Sequence, residues 1–391
     1  MSEVQKAMQT LTQQWYNAVV TGLSLDPNNF QLYQGTATTG PTSEWIWNIF
    51  DAIPPASINN FYNPNQSNNF SQDYQQVIAQ LKPNSDNSFQ ICMGDYYTDW
   101  LTYLQSDKAP DDVFDDATKM SSVFKKWAFA NAPDQVNCAA SLIATFFNDV
   151  VTIANAMFSN AQQAGKGYAY NTTIAQLKNA LQQAPGKSFT MNSKTETSNL
   201  DHTWAQASVT GGWGFFSFSA SSSYDKLSIK TTTAGLDIDA KFSHVTTLPG
   251  GPLAKVSTDP ILSKYTPWYN SSAFSRAYGT KDNTVWKNGS PSWDSTFGSD
   301  GNMQRVTNGL VVVDGIDITI TSDATYSTED QRTITAAASG GYWPFFSADA
   351  SGGNHTKVTF SDSGKMTTRY TNPAGNPQLL GVLVTKTDDY I

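Results

Sequence analysis

Apolar residues fall at helical spacing through the first half of the chain and alternate with polar ones through the second. Val4, Met8, Leu11, Trp15 and Val19 recur three or four residues apart and predict a helix over about residues 3–21. Leu23 to Asn87 is mixed, with breaks at Pro54-Pro55 and Asn63-Pro64-Asn65. Within it, 44–50 and 70–81 read as short helices. Tyr96, Tyr97, Trp100, Leu101 and Leu104 form a further stripe, and Val113 to Trp127 the next. Asp134 follows Pro133 as an N-cap for a helix reaching about Gln163. Its wide apolar face, centred on Phe146 and Phe147, predicts burial. A last short helix is expected over 173–184.

After residue 187 alternation replaces helical spacing. Candidate strands are 203–210, 215–222, 226–233, 236–245, 310–321, 333–338, 345–350, 356–361, 365–370 and 379–387. Residues 247–306 interrupt them. That stretch holds too many large apolar side chains to be unstructured. The expected fold is α+β: a helical domain over 1–187 packed on an antiparallel, β-sandwich-like domain over 188–391, with an aromatic-rich insertion at about 247–306.

The β half contains an echo. Gly211-Gly212-Trp213-Gly214-Phe215-Phe216-Ser217-Phe218-Ser219-Ala220-Ser221 recurs, with one residue inserted, as Gly340-Gly341-Tyr342-Trp343-Pro344-Phe345-Phe346-Ser347-Ala348-Asp349-Ala350-Ser351. Even positions after the aromatics are apolar and odd ones polar, so each copy is a strand with one greasy and one wet face. A weaker echo pairs Gly235-Leu236-Asp237-Ile238-Asp239-Ala240 with Gly315-Ile316-Asp317-Ile318-Thr319-Ile320. Together they predict two related β units, with 215–222 and 345–350 in equivalent strands.

Composition narrows the function classes. Charged residues make up 15% of the chain, against roughly 25% in ordinary soluble domains. Asn, Ser, Thr, Gln and Tyr supply the polarity, and mean hydropathy is −0.39. Net charge is −9 and the arginines are only Arg276, Arg305, Arg332 and Arg369. Without a basic cluster, nucleic acid is not an expected partner. No apolar run reaches about 18 residues, so no transmembrane helix is expected. The N-terminus leads straight into an amphipathic pattern, which predicts synthesis without a signal peptide and a cytoplasmic or non-classically released protein. The two cysteines, Cys92 and Cys138, are expected as buried thiols, a single disulfide being the alternative.

Motifs for chemistry are absent. His202, His244 and His355 lie at no metal-ligand spacing, so no metal or cofactor is expected. There is no nucleophile elbow, P-loop or dinucleotide fingerprint. The run Asp111-Asp112-Val113-Phe114-Asp115-Asp116 reads as a helix start, with a weak calcium site as the sharper alternative. Asp237 and Asp239 read as solvent-face residues of one strand. The chain holds eleven tryptophans; Trp268, Tyr269, Trp286 and Trp293 are the candidates for stacking on a sugar.

The sharpest candidates are the turn-borne aromatics Trp213, Phe215, Phe216, Phe218 and Tyr342, Trp343, Phe345, Phe346. Alternating hairpins with boundary aromatics are what a bilayer demands of β structure. Over about 205–233 and 333–361 the Ser/Thr-rich alternation resembles that of water-soluble bacterial β-pore-forming proteins. The resemblance is compositional and carries over no site residue; Tyr278-Gly279-Thr280 lacks the following His of the perforin-type signature. The leading expectation is a non-enzymatic, toxin-like, pore-forming protein, soluble until it homo-oligomerises on a lipid or glycan receptor. A self-assembling structural protein is the alternative, then a carbohydrate-binding module, and an enzyme last.

Overall fold

The computed structural model describes residues 3–33, 40, 42–54, 61–62, 68–83, 87–104, 106, 108–110, 113, 117–196, 225–339 and 355–391. The chain divides as its periodicity predicts, into a helical first half and an antiparallel second half. The helices of the first half are α1 (Glu3–Leu23), α2 (Ser43–Asp51), α3 (Phe70–Gln80), α4 (Ser88–Met93), α5 (Tyr96–Leu104), α6 (Ala117–Asn131), α7 (Val136–Phe147), α8 (Val150–Ala164) and α9 (Ile174–Gln183). Short strands β1 (Phe30–Tyr33), β2 (Ala52–Ile53), β3 (Phe61–Tyr62) and β4 (Asn68–Asn69) lie among them. The second half carries β5 (Lys187–Asn192), α10 (Asp225–Ala234), β6 (Leu236–Pro249), α11 (Ser271–Gly279), α12 (Trp293–Phe297), β7 (Arg305–Thr325), α13 (Thr328–Ser339), β8 (His355–Phe360), β9 (Lys365–Asn372), β10 (Gln378–Lys386) and α14 (Thr387–Tyr390).

β7, 21 residues long, is the axis of the main sheet. β6 pairs with it along one side, from Leu236↔Ser322 to Pro249↔Gly309, and β5 lies outside β6. On the other side β9 and β10 follow one another in line, with Asn372 opposite Ile316 and Gln378 opposite Val313. β8 flanks β9, whereas β1 and then β3 flank β10. Two first-half strands therefore complete a second-half sheet. Among the described residues the eight-stranded sheet is open, β2 and β4 form a separate two-stranded pair, and helices cover the main sheet where a sandwich would place a second large one.

The weaker echo has a structural meaning: its two copies are neighbours. Ile238 faces Ile320 and Ala240 faces Ile318 across the β6–β7 ladder. Each copy begins with a left-handed glycine, Gly235 at φ 105° and Gly315 at φ 64°. Gly315 marks a change of face. Beyond it Ile316, Ile318 and Ile320 join Leu236, Ile238 and Phe242 in the core cluster that holds Trp15. Before it the odd residues Val311 and Val313 join that cluster, and the even Leu310 and Val312 join the cluster built on Phe50, Tyr74 and Trp268. A Cβ at Gly315 would collide with the Ser243 side chain of the neighbouring strand. β7 is thus buried on both faces before Gly315 and on one face after it. Asp237 and Lys241 lie on the exposed face, where Arg369 grips Asp317 with two hydrogen bonds of 2.8 and 2.6 Å.

A third cluster belongs to the helical half alone: Phe89, Trp100, Phe124, Trp127 and Phe146. The long helix expected up to Gln163 is two helices, bent by 90° at Asn148-Asp149. The Asp149 carboxylate accepts from the Thr152 amide and hydroxyl, capping a new helix rather than continuing the old one. The bend lets α8 serve two cores. Ile153 and Met157 join the third cluster, while Val151, Ala154 and Phe158 join the first. Phe146 is 5% exposed, whereas Phe147 is only half-buried.

The expectation of free thiols is corrected: Cys92 of α4 and Cys138 of α7 form a disulfide, with Cα atoms 6.2 Å apart. The 3.9 Å contact of Cys92 Sγ with the Gln135 carbonyl shows how the turn before α7 brings the two helices together.

Candidate functional site

Two excursions leave the same end of the sheet. One departs from β5 after Asn192 and returns at Leu236; the other departs from β7 after Thr325 and returns at His355. Asn192, Asp237 and Thr321 form one cross-strand row, so both departures lie at that end. Each excursion carries one copy of the aromatic-Gly echo. The membrane-contact candidates Trp213, Phe215, Phe216, Phe218, Tyr342, Trp343, Phe345 and Phe346, and the strands expected at 203–210, 215–222 and 345–350, lie outside the described residues.

The described part of each excursion overturns an expectation. Residues 226–233 and 333–338 alternate as strands do, yet they lie within α10 and α13. Within the helices the hydroxyls are satisfied locally. In α10, Thr231, Thr232 and Thr233 donate to the carbonyls of Leu227, Ser228 and Ile229, at 2.6, 2.5 and 2.7 Å. In α13, Thr333, Thr335 and Ser339 donate to those of Glu329, Gln331 and Thr335, at 3.0, 2.8 and 2.8 Å. Such back-bonding satisfies the side chain at some cost to the helix, and β-branched Thr and Ile are weaker helix formers than Ala.

The two helices are held lightly. α13 buries Ile334 and Ala337. α10 buries the polar Ser228 and Thr231, with Leu227 and Ile229 only partly covered. α1, by contrast, buries Leu11, Trp15, Tyr16, Ala18, Val19 and Leu23. A polar latch joins the pair. Lys230 Nζ lies 3.1 Å from Asp330 and sits over the Tyr326 ring, 5.0 Å from its centre. The Tyr326 hydroxyl meets Thr231 Oγ1 at 2.5 Å and Ser322 Oγ at 3.3 Å. The hydrogen bond from Lys230 holds the Asp330 carboxyl below its usual range. Burial pushes the Tyr326 phenol up.

The sugar-stacking candidates fare differently. Trp268, Tyr269 and Trp286 are 0%, 5% and 3% exposed. The indole N–H of Trp268 donates to the Ala169 carbonyl, and that of Trp286 to the Ala277 carbonyl. No open ring face remains on these three for a sugar, because the 247–306 stretch folds inward as part of the main core. Trp293 is half-buried, and the Lys281 ammonium covers its ring at 3.8 Å. The stretch is structured, as its composition predicts, but Trp268, Tyr269 and Trp286 are packed in the core.

Asp51 is partly buried, and its carboxylate accepts from the Ser71 amide and hydroxyl and from Tyr170 at 2.8–3.0 Å. Asp73 lies nearby, and burial with the charge of Asp51 pushes its carboxyl up to about 6. These bonds tie α2 to α3 and to the segment between α8 and α9. His244 Nδ1 lies 2.9 Å from the Ala184 carbonyl; His202 and most of the 111–116 acidic run lie outside the described residues. Among the described residues, no three of His, Cys, Asp and Glu gather as a metal site would require. Comparison of the chain with protein-family models, curated proteins and solved structures gave no match.

Proposed function

We propose that the protein is a membrane-active pore former whose two excursions convert from helix-bearing segments into amphipathic β-hairpins. The observation that carries this reading is the conflict in α10 and α13, where strand-patterned segments are folded as lightly held helices. Natural sequences usually agree with their local structure, and such conflicts gather at functional sites. The pattern fits a second state. Phe215–Ser223 and Asp225–Thr233 each supply about the nine residues a tilted membrane strand needs. As strands they would place Phe216, Phe218, Ala220 on one face of the first arm and Leu227, Ile229 on one face of the second.

Oligomerisation belongs to the same reading. Lipid offers no hydrogen bonds, so hairpin edges must pair with those of another copy. β5 and β8 bound the sheet where the excursions leave, and among the described residues β5 pairs only with β6 and β8 only with β9. We place the working location outside a reducing cytosol, because the Cys92–Cys138 disulfide suits an oxidising medium.

The test is dye release from liposomes. A Lys on the lipid face costs roughly 2–4 kcal/mol near the midplane, and far less on the lumen face. Phe218→Lys and Ala348→Lys should abolish release while Ser219→Lys and Ser347→Lys largely spare it. Each variant must first keep the wild-type melting temperature. Wild-type protein that neither binds nor permeabilises any lipid mixture would refute the reading, and ordered particles formed without lipid would favour self-assembly.

A further inference from the structure

α10 and α13 belong to different excursions and rest on different supports, α10 on α1 and β7, α13 on β8. What they share is a set of side chains. Among the described residues, every side-chain hydrogen bond or ion pair that α10 makes outside itself ends on the second excursion. Thr231 meets Tyr326 at 2.5 Å, and Lys230 meets Asp330 at 3.1 Å. The other hydroxyl bonds of α10 close on its own carbonyls.

Tyr326 ties this pair to the sheet. It is the first residue past β7 and is 3% exposed. Its amide donates to the Gly364 carbonyl at 2.9 Å, in the turn between β8 and β9, and its carbonyl accepts from Gln331 Nε2 of α13 at 2.9 Å. Its ring meets Phe360 of β8 edge-on, 5.9 Å between centres. Gly364 is held at φ 77°, and a Cβ there would strike the Tyr326 carbonyl oxygen. The phenol therefore sits in a fixed place, where it meets the hydroxyls of Thr231 and Ser322 in a buried node. A buried hydroxyl stripped of its partner costs more than the bond itself is worth, so such a node resists piecemeal loss. Asp330 has a second duty. Its carboxylate accepts from the Ser327 amide at 3.3 Å while its own amide donates to Ser327 Oγ at 3.1 Å, a reciprocal cap. The carboxylate that holds Lys230 thus also fastens the start of α13.

We infer that Tyr326 and Asp330 couple the two excursions, so that α10 and α13 leave the sheet together rather than one at a time. If α13 leaves first, Tyr326 and Asp330 shift with it, and α10 keeps only thin apolar contacts, with Leu227 and Ile229 partly covered. If α10 leaves first, the Tyr326 hydroxyl loses Thr231 and Asp330 loses its cation. Opening either helix lowers the cost of opening the other, which is the condition for one cooperative unit. The coupling is a property of the fold and holds whether or not the segments enter a membrane. Under the proposed function it frees both hairpins of one copy in a single event, where a lone hairpin would offer lipid more unpaired backbone.

The experiment changes α10 and reads α13. Amide hydrogen exchange of the full chain is followed by mass spectrometry, without lipid, in wild type, Thr231→Val and the double variant Thr231→Val with Lys230→Gln. Loss of one hydrogen bond changes an opening equilibrium about fivefold, and loss of an exposed ion pair adds about twofold. Exchange across α13 should therefore rise about fivefold in the single variant and about tenfold in the double one, in step with α10. β6 and β7 should keep wild-type rates, which also establishes that the variants fold. The inference is overturned if α10 accelerates and α13 does not, if neither does, or if β6 and β7 accelerate equally. Dye release measured in parallel keeps the two readings apart: coupled exchange in a protein that never permeabilises liposomes leaves the coupling standing and removes the pore.

Discussion

Asp73 shows how one side chain sets a pH dependence. It stands in the first turn of α3, where the helix dipole favours a carboxylate, yet one of its oxygens is buried without a hydrogen-bond partner. Burial first, and the charge of Asp51 second, push its carboxyl from an ordinary 3.8 up to about 6. A raised acid pKa means that the folded state holds the proton more tightly than the unfolded chain. The group is therefore neutral and harmless below about pH 4, and its charge opposes folding as pH climbs through 6. The shift corresponds at face value to about 3 kcal/mol, and partial exposure reduces this to about 1. Asp73→Asn should accordingly gain stability over wild type at pH 7 and lose that advantage near pH 4, in urea titrations at both pH values. A constant difference, or a less stable variant at pH 7, would show that the dipole outweighs the burial. The Lys230–Asp330 latch has the opposite sign. Asp330 is held below its ordinary range, so this contribution is present at neutral pH and is lost only as pH falls through the depressed value.

At the scale of elements, α10 and α13 are where local pattern and fold part company, and they are testable as such. Thr232 is half-buried and Thr233 exposed, and both back-bond within α10. Replacing both with Ala should stabilise the helix by about 0.5 kcal/mol per site and remove strand preference. Melting temperature should rise slightly while dye release slows; faster release from the double variant would contradict the conversion of α10 into a hairpin arm. The core helices give the complementary test. Phe146→Ala should cost roughly 3–5 kcal/mol, because Phe146 packs on Phe89 at 4.9 Å between ring centres. Phe147→Ala should cost clearly less, because that ring is half-buried. Periodicity made α1, α2, α3, α9 and the strands β6 to β9 legible, since each has a buried stripe or an alternating stretch, and β10 legible as a continuous apolar run buried on both faces. It missed β1, a four-residue strand with no room to alternate, and β5, whose Phe189 and Met191 are the only apolar residues of six. It joined α7 to α8 because both are apolar; only the capping carboxylate of Asp149 signals the break. It read α10 and α13 as strands because their helical burial rests on a few small residues. The tryptophans of the 247–306 stretch carried no period at all, so nothing in the sequence separated a packing indole from a binding one.

The described residues form three cores joined through shared elements, and the weakest joint can be argued from them. β7 serves the first and second cores, with Leu310 and Val312 on one face and Val311 and Val313 on the other. A cut between those two would tear a sheet. The third core touches the rest through α8, whose Ile153 and Met157 face it while Phe158 faces the first core. The helical unit is therefore the part best able to open alone, and the Cys92–Cys138 bond lies inside it. That bond closes a loop with a sequence separation of 46. Chain entropy alone assigns such a loop about 4 kcal/mol, with native strain free to reduce it. Placed in a unit with its own core, this stabilisation acts on local opening of residues 88–149 more than on the sheet. Cys138 is exposed, so a reductant can reach the bond. Reduction, or the double change Cys92→Ser with Cys138→Ser, should split thermal unfolding into an earlier transition for the helical unit and a later, little-changed one for the sheet. Hydrogen exchange should rise across α4 to α7 while β6 and β7 stay protected. A single transition shifted as a whole would mean that α8 couples the cores too tightly for the unit to open alone. An unshifted curve would mean that the bond contributes nothing.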